Sequence, residues 1–162
     1  MSWACLGVSS CISAPKARAA EAAGAHALVN YRAGDTAQAI LAANGGKPVD
    51  RIVEVEFGGN LAVSAAVLAP GGVIAAYGSM ADPQPQLPFY PLMFNHVTIR
   101  TMLVYLLSQT ERARVTDRLG RALDAGALSH AISARFPLSD TAAAHEAVES
   151  GKLIGNAVIL ID

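Results

Sequence analysis

Residues 49–79, VDRIVEVEFGGNLAVSAAVLAPGGVIAAYGS, constrain the fold more than any other stretch of this chain. They read as an apolar strand, a Gly-Gly turn, a short helix, a second Gly-Gly turn and another apolar strand. Ile52, Val53 and Val55 form one cluster, and Val73, Ile74 and Tyr77 lie in the other. Short, nearly continuous apolar runs fit strands buried on both faces. Between them Leu61, Ala65 and Leu68 recur at the helical period. Strand, helix and strand at this length predict a βαβ crossover, with the two strands parallel in one sheet. Ligands of open parallel sheets bind beyond the carboxyl ends of the strands, which points to residues 56–59 and 78–80.

The rest of the chain repeats the alternation. A first strand is expected over residues 8–12, then a helix that Ser13 can cap, with Pro15 in its first turn and Gly24 just past its end. A second strand covers 27–31. A helix from about Asp35 turns Ala37, Ile40 and Leu41 inward and stops at Asn44-Gly45-Gly46. Residues 82–91 hold four of the eight prolines and read as a loop. A strand resumes over 98–104. Ser108 and Glu111 have capping-box spacing, and the helix after them is expected to bury Val115, Leu119 and Ala122. Residues 132–138 are extended, Asp140 can cap a helix through Glu149, and 157–161 form a last strand. Alternating β and α elements place the chain in the α/β class.

Composition narrows the function. The 162 residues are 52% hydrophobic and 15% charged, enough apolar content for a core. A net charge of -1 argues against a nucleic-acid surface. Arg112, Arg114, Arg118 and Arg121 are interleaved with Glu111, Asp117 and Asp124, as on a solvated helix face. Cys5 and Cys11 build neither a disulfide framework nor a tetrahedral zinc set. No run approaches the roughly 18 consecutive apolar residues of a membrane helix, and residues 1–13 lack a signal-peptide pattern. The expectation is a cytoplasmic protein with no membrane or nucleic-acid partner.

Three pieces, NYR at 30–32, LAPGGVIAAYGS at 68–79 and FPLSDTAAAHEAVESGKLIGNAVIL at 136–160, stand in an order that resembles a known family. The chain is similar to the cofactor half of zeta-crystallin-like quinone oxidoreductases, of the medium-chain dehydrogenase/reductase superfamily. The resemblance implies NADPH-dependent reduction of quinones or other activated carbonyl compounds, by a dimer and without metal. Complete members join a substrate domain to a dinucleotide-binding domain of strand order 3-2-1-4-5-6. Here the substrate domain, the first nucleotide-domain strand and the glycine-rich phosphate loop have no counterpart. The expectation is an incomplete Rossmann-type doubly wound sheet over residues 1–130. An extension, 131–162, returns toward the absent substrate domain. Such a chain is a truncated copy, or one piece of a longer protein, with little activity alone.

Carried over residue by residue, the resemblance marks Ser13, Lys16 and Tyr31 for the 2′-phosphate. Each has a plainer reading: a helix cap, a solvated lysine and a packed strand end. Phe57 and Gly58 are placed at the adenosine side, although Gly58 could equally serve its turn. Tyr77, Gly78 and Ser79 follow the next strand, Thr101, Met102 and Leu103 align with nicotinamide contacts, and Gly155 and Asn156 close the same end. Glu56 departs from the pattern, since a carboxylate there would repel a phosphorylated cofactor. No catalytic residue and no metal ligand is assigned. His26, His96, His130 and His145 read as structural or surface histidines, and no nucleophile, base and orienting acid stand in recognisable relation. Dimerisation is expected through the edge strand near 98–104. A non-catalytic nucleotide-fold or dimerisation module is the alternative, with a methyltransferase a weaker third.

Overall fold

The computed structural model describes residues 7–11, 14–128 and 130–161, the side chains of 9–11 excepted. Ser13, and with it the expected cap and phosphate contact, lies outside the described residues. The chain divides into two compact units. One holds the described residues of 1–13 together with Gly24–Leu107; the other holds Ala14–Ala23 and Ser108–Asp162.

The first unit contains β1 (Val8–Cys11), β2 (Ala27–Asn30), α2 (Thr36–Ala43), β3 (Val49–Glu54), α3 (Phe57–Val67), β4 (Leu68–Ala76), α4 (Phe89–Phe94) and β5 (Thr98–Thr101). Helix α1 (Ala14–Ala22) belongs to the second unit. All ladders are parallel. β1 pairs with β2, and β3, β4 and β5 form a separate three-stranded sheet in that order. Val53 lies opposite Ala75, so the crossover read from residues 49–79 is present. The architecture is α/β and Rossmann-like, with its parallel strands split between two sheets.

Local signals act where the sequence puts them. Asp35 caps α2 by accepting the N–H of Gln38 at 3.1 Å, and Gly45 and Gly46 beyond its end take positive φ. Three expectations need correction. Gly58-Gly59 is no turn, because α3 begins at Phe57 and takes both glycines into its first turn. The Pro-rich segment ends earlier than expected, because α4 starts at Phe89. Pro91 is its third residue, where an N–H has no intrahelical partner to lose. The strand over 98–104 ends at Thr101 and gives way to a 3-10 turn at Val104–Leu106.

The core of this unit lies under α3. Ile74 is 0% exposed, packed in a layer with buried Leu61, Val67, Leu68 and Ala76. Burial on both strand faces is not observed. Val53 is 76% exposed and Val55 57%. Successive strand residues point to opposite faces, and α3 covers only the one that carries Ile74.

The second unit contains α1, α5 (Gln109–Asp124), β6 (Ile132–Pro137), α6 (Thr141–Glu149) and β7 (Asn156–Leu160), with β6 and β7 parallel. The capping box forms: Ser108 Oγ accepts the Glu111 N–H at 3.2 Å, and Glu111 Oε2 accepts the Ser108 N–H at 2.9 Å. Burial of Val115 and Leu119 fails, since both are exposed and no residue of α5 is buried. Asp140 does not cap α6. It accepts the Ser139 hydroxyl instead, while Thr141 Oγ1 donates to the Leu138 carbonyl. No described helix is long and apolar enough to cross a membrane.

Candidate functional site

In the first unit three parallel strands deliver their carboxyl ends to one edge of the sheet. Because β3, β4 and β5 are in register, the residues after Glu54, Ala76 and Thr101 emerge side by side. The ladder continues briefly past the strands. Tyr77 N–H donates to the Glu54 carbonyl at 3.0 Å, Phe57 N–H to Gly78 O at 2.9 Å, and Met102 N–H to Ala76 O at 2.9 Å. Phe57, Gly58, Tyr77, Gly78, Ser79, Thr101, Met102 and Leu103 are therefore brought to this edge together. The Tyr77, Met102 and Leu103 side chains are exposed there, and Phe57 is half-buried.

Gly58 and Ser79 engage each other. Ser79 Oγ accepts the Gly58 N–H at 2.8 Å and donates to the carbonyl of Asp82. A Cβ on Gly58 would run into that same carbonyl and stand 2.8 Å from the hydroxyl. The Gly58 position thus serves a close approach between α3 and the loop after β4. Gly78 has a similar reason: its Cβ would meet the Val55 carbonyl at 2.5 Å.

Two glutamates at the end of β3 hold this corner, and neither was marked as a site residue in the sequence. Glu54 is 9% exposed, and its Oε1 accepts the Glu56 N–H at 2.7 Å and the Asn60 amide at 3.1 Å. Glu56 reaches across to the next loop, accepting Met80 N–H at 3.0 Å through Oε2 and Ala81 N–H at 3.0 Å through Oε1. Its charge is therefore directed into two backbone dipoles. The available signal was the pair of carboxylates inside the apolar run VEVEF, since a glutamate in such a run must find donors.

Tyr31 follows β2 in a turn. Its side chain is exposed, and its carbonyl accepts the Thr36 hydroxyl at 3.2 Å. An apolar groove runs along α3 beside Leu61, Ala62 and Ala65, closed on its other side by Pro85 and Pro88. It starts at Gly58 and Asp82, at the corner beside the strand ends, and extends from there along the helix.

The remaining candidates belong to the second unit. Lys16 is half-buried on α1. Gly155 takes φ 114° at the turn before β7, against the Ala131 backbone, and Asn156 donates its N–H to Ala131 O at 2.8 Å. Among the described residues no cluster of three or more His, Cys, Asp or Glu side chains could hold a metal ion.

A family model described as zinc-binding dehydrogenase matches residues 23–159. A 2-haloacrylate reductase from a Burkholderia species is 31% identical over 151 residues, covering 90% of this chain and 45% of that protein. A mycobacterial quinone oxidoreductase superposes with a TM-score of 0.83 at 24% identity, over 95% of this chain and 48% of that one. A mycobacterial protein solved in complex with NADPH superposes with a TM-score of 0.80 at 24% identity, over 95% of this chain and 49% of that one. The chain thus spans about half the length of these relatives.

Proposed function

The chain belongs to the zinc-binding dehydrogenase family, and we propose that it is the cofactor-holding portion of an NADPH-dependent oxidoreductase. The reaction is hydride transfer to quinones or activated carbonyl compounds. One observation carries this reading: the parallel ends of β3, β4 and β5 bring Phe57, Tyr77, Gly78 and Thr101–Leu103 to a single edge. Ligands of open parallel sheets bind at such an edge.

The residues present fit a dinucleotide in part. When bound, NADPH supplies the hydride, and the protein's task is to orient it and exclude water. Exposed Tyr77 and the Met102–Leu103 backbone offer a shelf for its rings. Tyr31 is this unit's candidate for its 2′-phosphate. Ser79 acts indirectly, by holding the loop that follows Tyr77. The described residues do not fit a zinc ion, so no step is assigned to one. No catalytic side chain is assigned either, and the isolated chain is expected to turn over quinone poorly or not at all.

Fluorescence titration with NADPH tests this. Saturation below about 0.1 mM, weakened at least about tenfold by Tyr77→Ala, supports the cofactor role. Absence of saturable binding refutes it.

A second reading, a dimerisation module, is favoured by β5. Its outer edge has no ladder partner among the described residues, and the segment after it exposes Met102, Leu103, Val104 and Leu106. Light scattering decides: a dimer that Leu106→Asp dissociates supports pairing through this edge.

A further inference from the structure

Five asparagines occur in the sequence, and Asn44 is the one followed by glycine. With no Cβ beside it, the Gly45 nitrogen can reach back to the asparagine side chain. The stop of α2 is therefore also the place where the chain can most readily react with itself.

What Asn44 does in the fold decides whether it reacts. It is the C-cap of α2, and its N–H donates to the Ile40 and Leu41 carbonyls at 3.1 and 3.0 Å. Its side-chain Nδ2 donates to Lys47 O at 2.9 Å and to Pro48 O at 3.0 Å. The amide must present its nitrogen here, because its oxygen would repel both carbonyls. One side chain thus ties the end of α2 to the two residues that lead into β3. Gly45 and Gly46 make the turn between them, with φ of 65° and 77°. Both groups that would have to react are engaged. Gly45 N–H donates to Ala42 O at 3.1 Å, and Nδ2, the leaving group, is held by Lys47 and Pro48.

We propose that Asn44 is a latch on the α2–β3 connection and a site of one-way modification, by deamidation, that an opened latch permits. In the open chain the Gly45 nitrogen gives up its proton and bonds to Asn44 Cγ, while Nδ2 leaves as ammonia. Water then opens the cyclic imide on either side. Breaking the bond at Cγ leaves aspartate. Breaking the bond at the backbone carbonyl leaves isoaspartate, in which the chain runs through Cγ. Nothing is oxidised or reduced, and the net change is one amide for one carboxylate. The latch cannot close again. Its donors are gone, a carboxylate would face the Lys47 and Pro48 carbonyls, and negative charge at the end of α2 opposes the helix dipole.

The test uses the intact chain, incubated in mildly alkaline buffer with and without denaturing guanidinium chloride. Peptide mass mapping and isoaspartate assay follow Asn44. Conversion is expected in both samples, at least about tenfold slower in the folded chain, because it must await local opening. Equal rates would show that the hydrogen bonds hold nothing back. An Asn44 that stays intact through prolonged incubation of the folded chain would show that the latch never opens, and either result overturns the proposal. Asn44→Asp, one product of the reaction, should lower the melting midpoint by about 4 °C. It should also speed amide exchange at Gly45 and Gly46 at least about tenfold. An unchanged midpoint and unchanged exchange would overturn the latch. If that variant does not fold, the aged chain, separated from the parent by charge, is melted in its place.

Discussion

Ser79 Oγ accepts the backbone N–H of Gly58 at 2.8 Å, across 21 positions of sequence. The bond joins the first turn of α3 to the loop that leaves β4. Together with the two Glu56 contacts to Met80 and Ala81, it sets the path of the backbone just where the proposed cofactor shelf begins. A small residue, a hydroxyl and a carboxylate share the task, each for a different physical reason.

Gly58→Ala should be costly. Its new methyl has to displace the Asp82 carbonyl and the Ser79 hydroxyl, neither of which is the free end of a flexible side chain. Overpacking of this kind costs about 1–3 kcal/mol, read as a lower urea midpoint at unchanged slope. A variant as stable as the parent would show that the loop yields freely.

Ser79→Ala leaves the part-buried Gly58 N–H and the Asp82 carbonyl without their partner. The expected loss is about 1–3 kcal/mol, the usual penalty for orphaned polar groups. If Ser79 instead binds cofactor directly, stability will hold while NADPH affinity falls, so thermal melts and titrations of one preparation separate the two roles.

Glu56→Gln keeps one acceptor oxygen and turns an amide NH₂ toward a backbone N–H. Either Met80 or Ala81 then loses its bond, for about 1–2 kcal/mol. The matching NMR observation is a large shift of one of those two amide protons. An unmoved pair would contradict the contact.

On the second unit, Ser108→Ala and Gly120→Ala should act in opposite directions. The first removes the capping-box hydroxyl and costs about 1 kcal/mol. The second places a methyl where nothing lies within 4 Å, inside α5, and should gain about 1 kcal/mol from helix propensity. Thermal melting of both variants checks the pair, and equal shifts would argue that α5 frays in the folded chain.

Short-range chemistry was legible in the residues. The Asp35 cap, the Gly45-Gly46 stop, the Ser108–Glu111 box and the parallel pairing of residues near 53 and 75 all follow from spacing. So does the meeting of residues 56–59 and 78–80 at one edge, because in-register parallel strands end together, whereas Thr101–Leu103 were marked only by the family resemblance and spacing placed them inside a longer strand. Burial was less legible. Val53, Val55, Val115 and Leu119 have the pattern of covered positions and stand exposed, since periodicity names a face without naming what packs on it.

From its sequence the protein takes the identity of its elements and the direction of its strands, because capping, helical period and β-branched runs act within a few residues. Only the tertiary structure decides how the sheet corner is held. Glu54, Glu56, Gly58 and Ser79 meet across gaps of up to 25 positions, and nothing local distinguishes a glycine set against a carbonyl from one set against a ligand. Which strand edges find partners among the described residues is likewise a tertiary fact, settled by the whole arrangement of ladders rather than by any one of them.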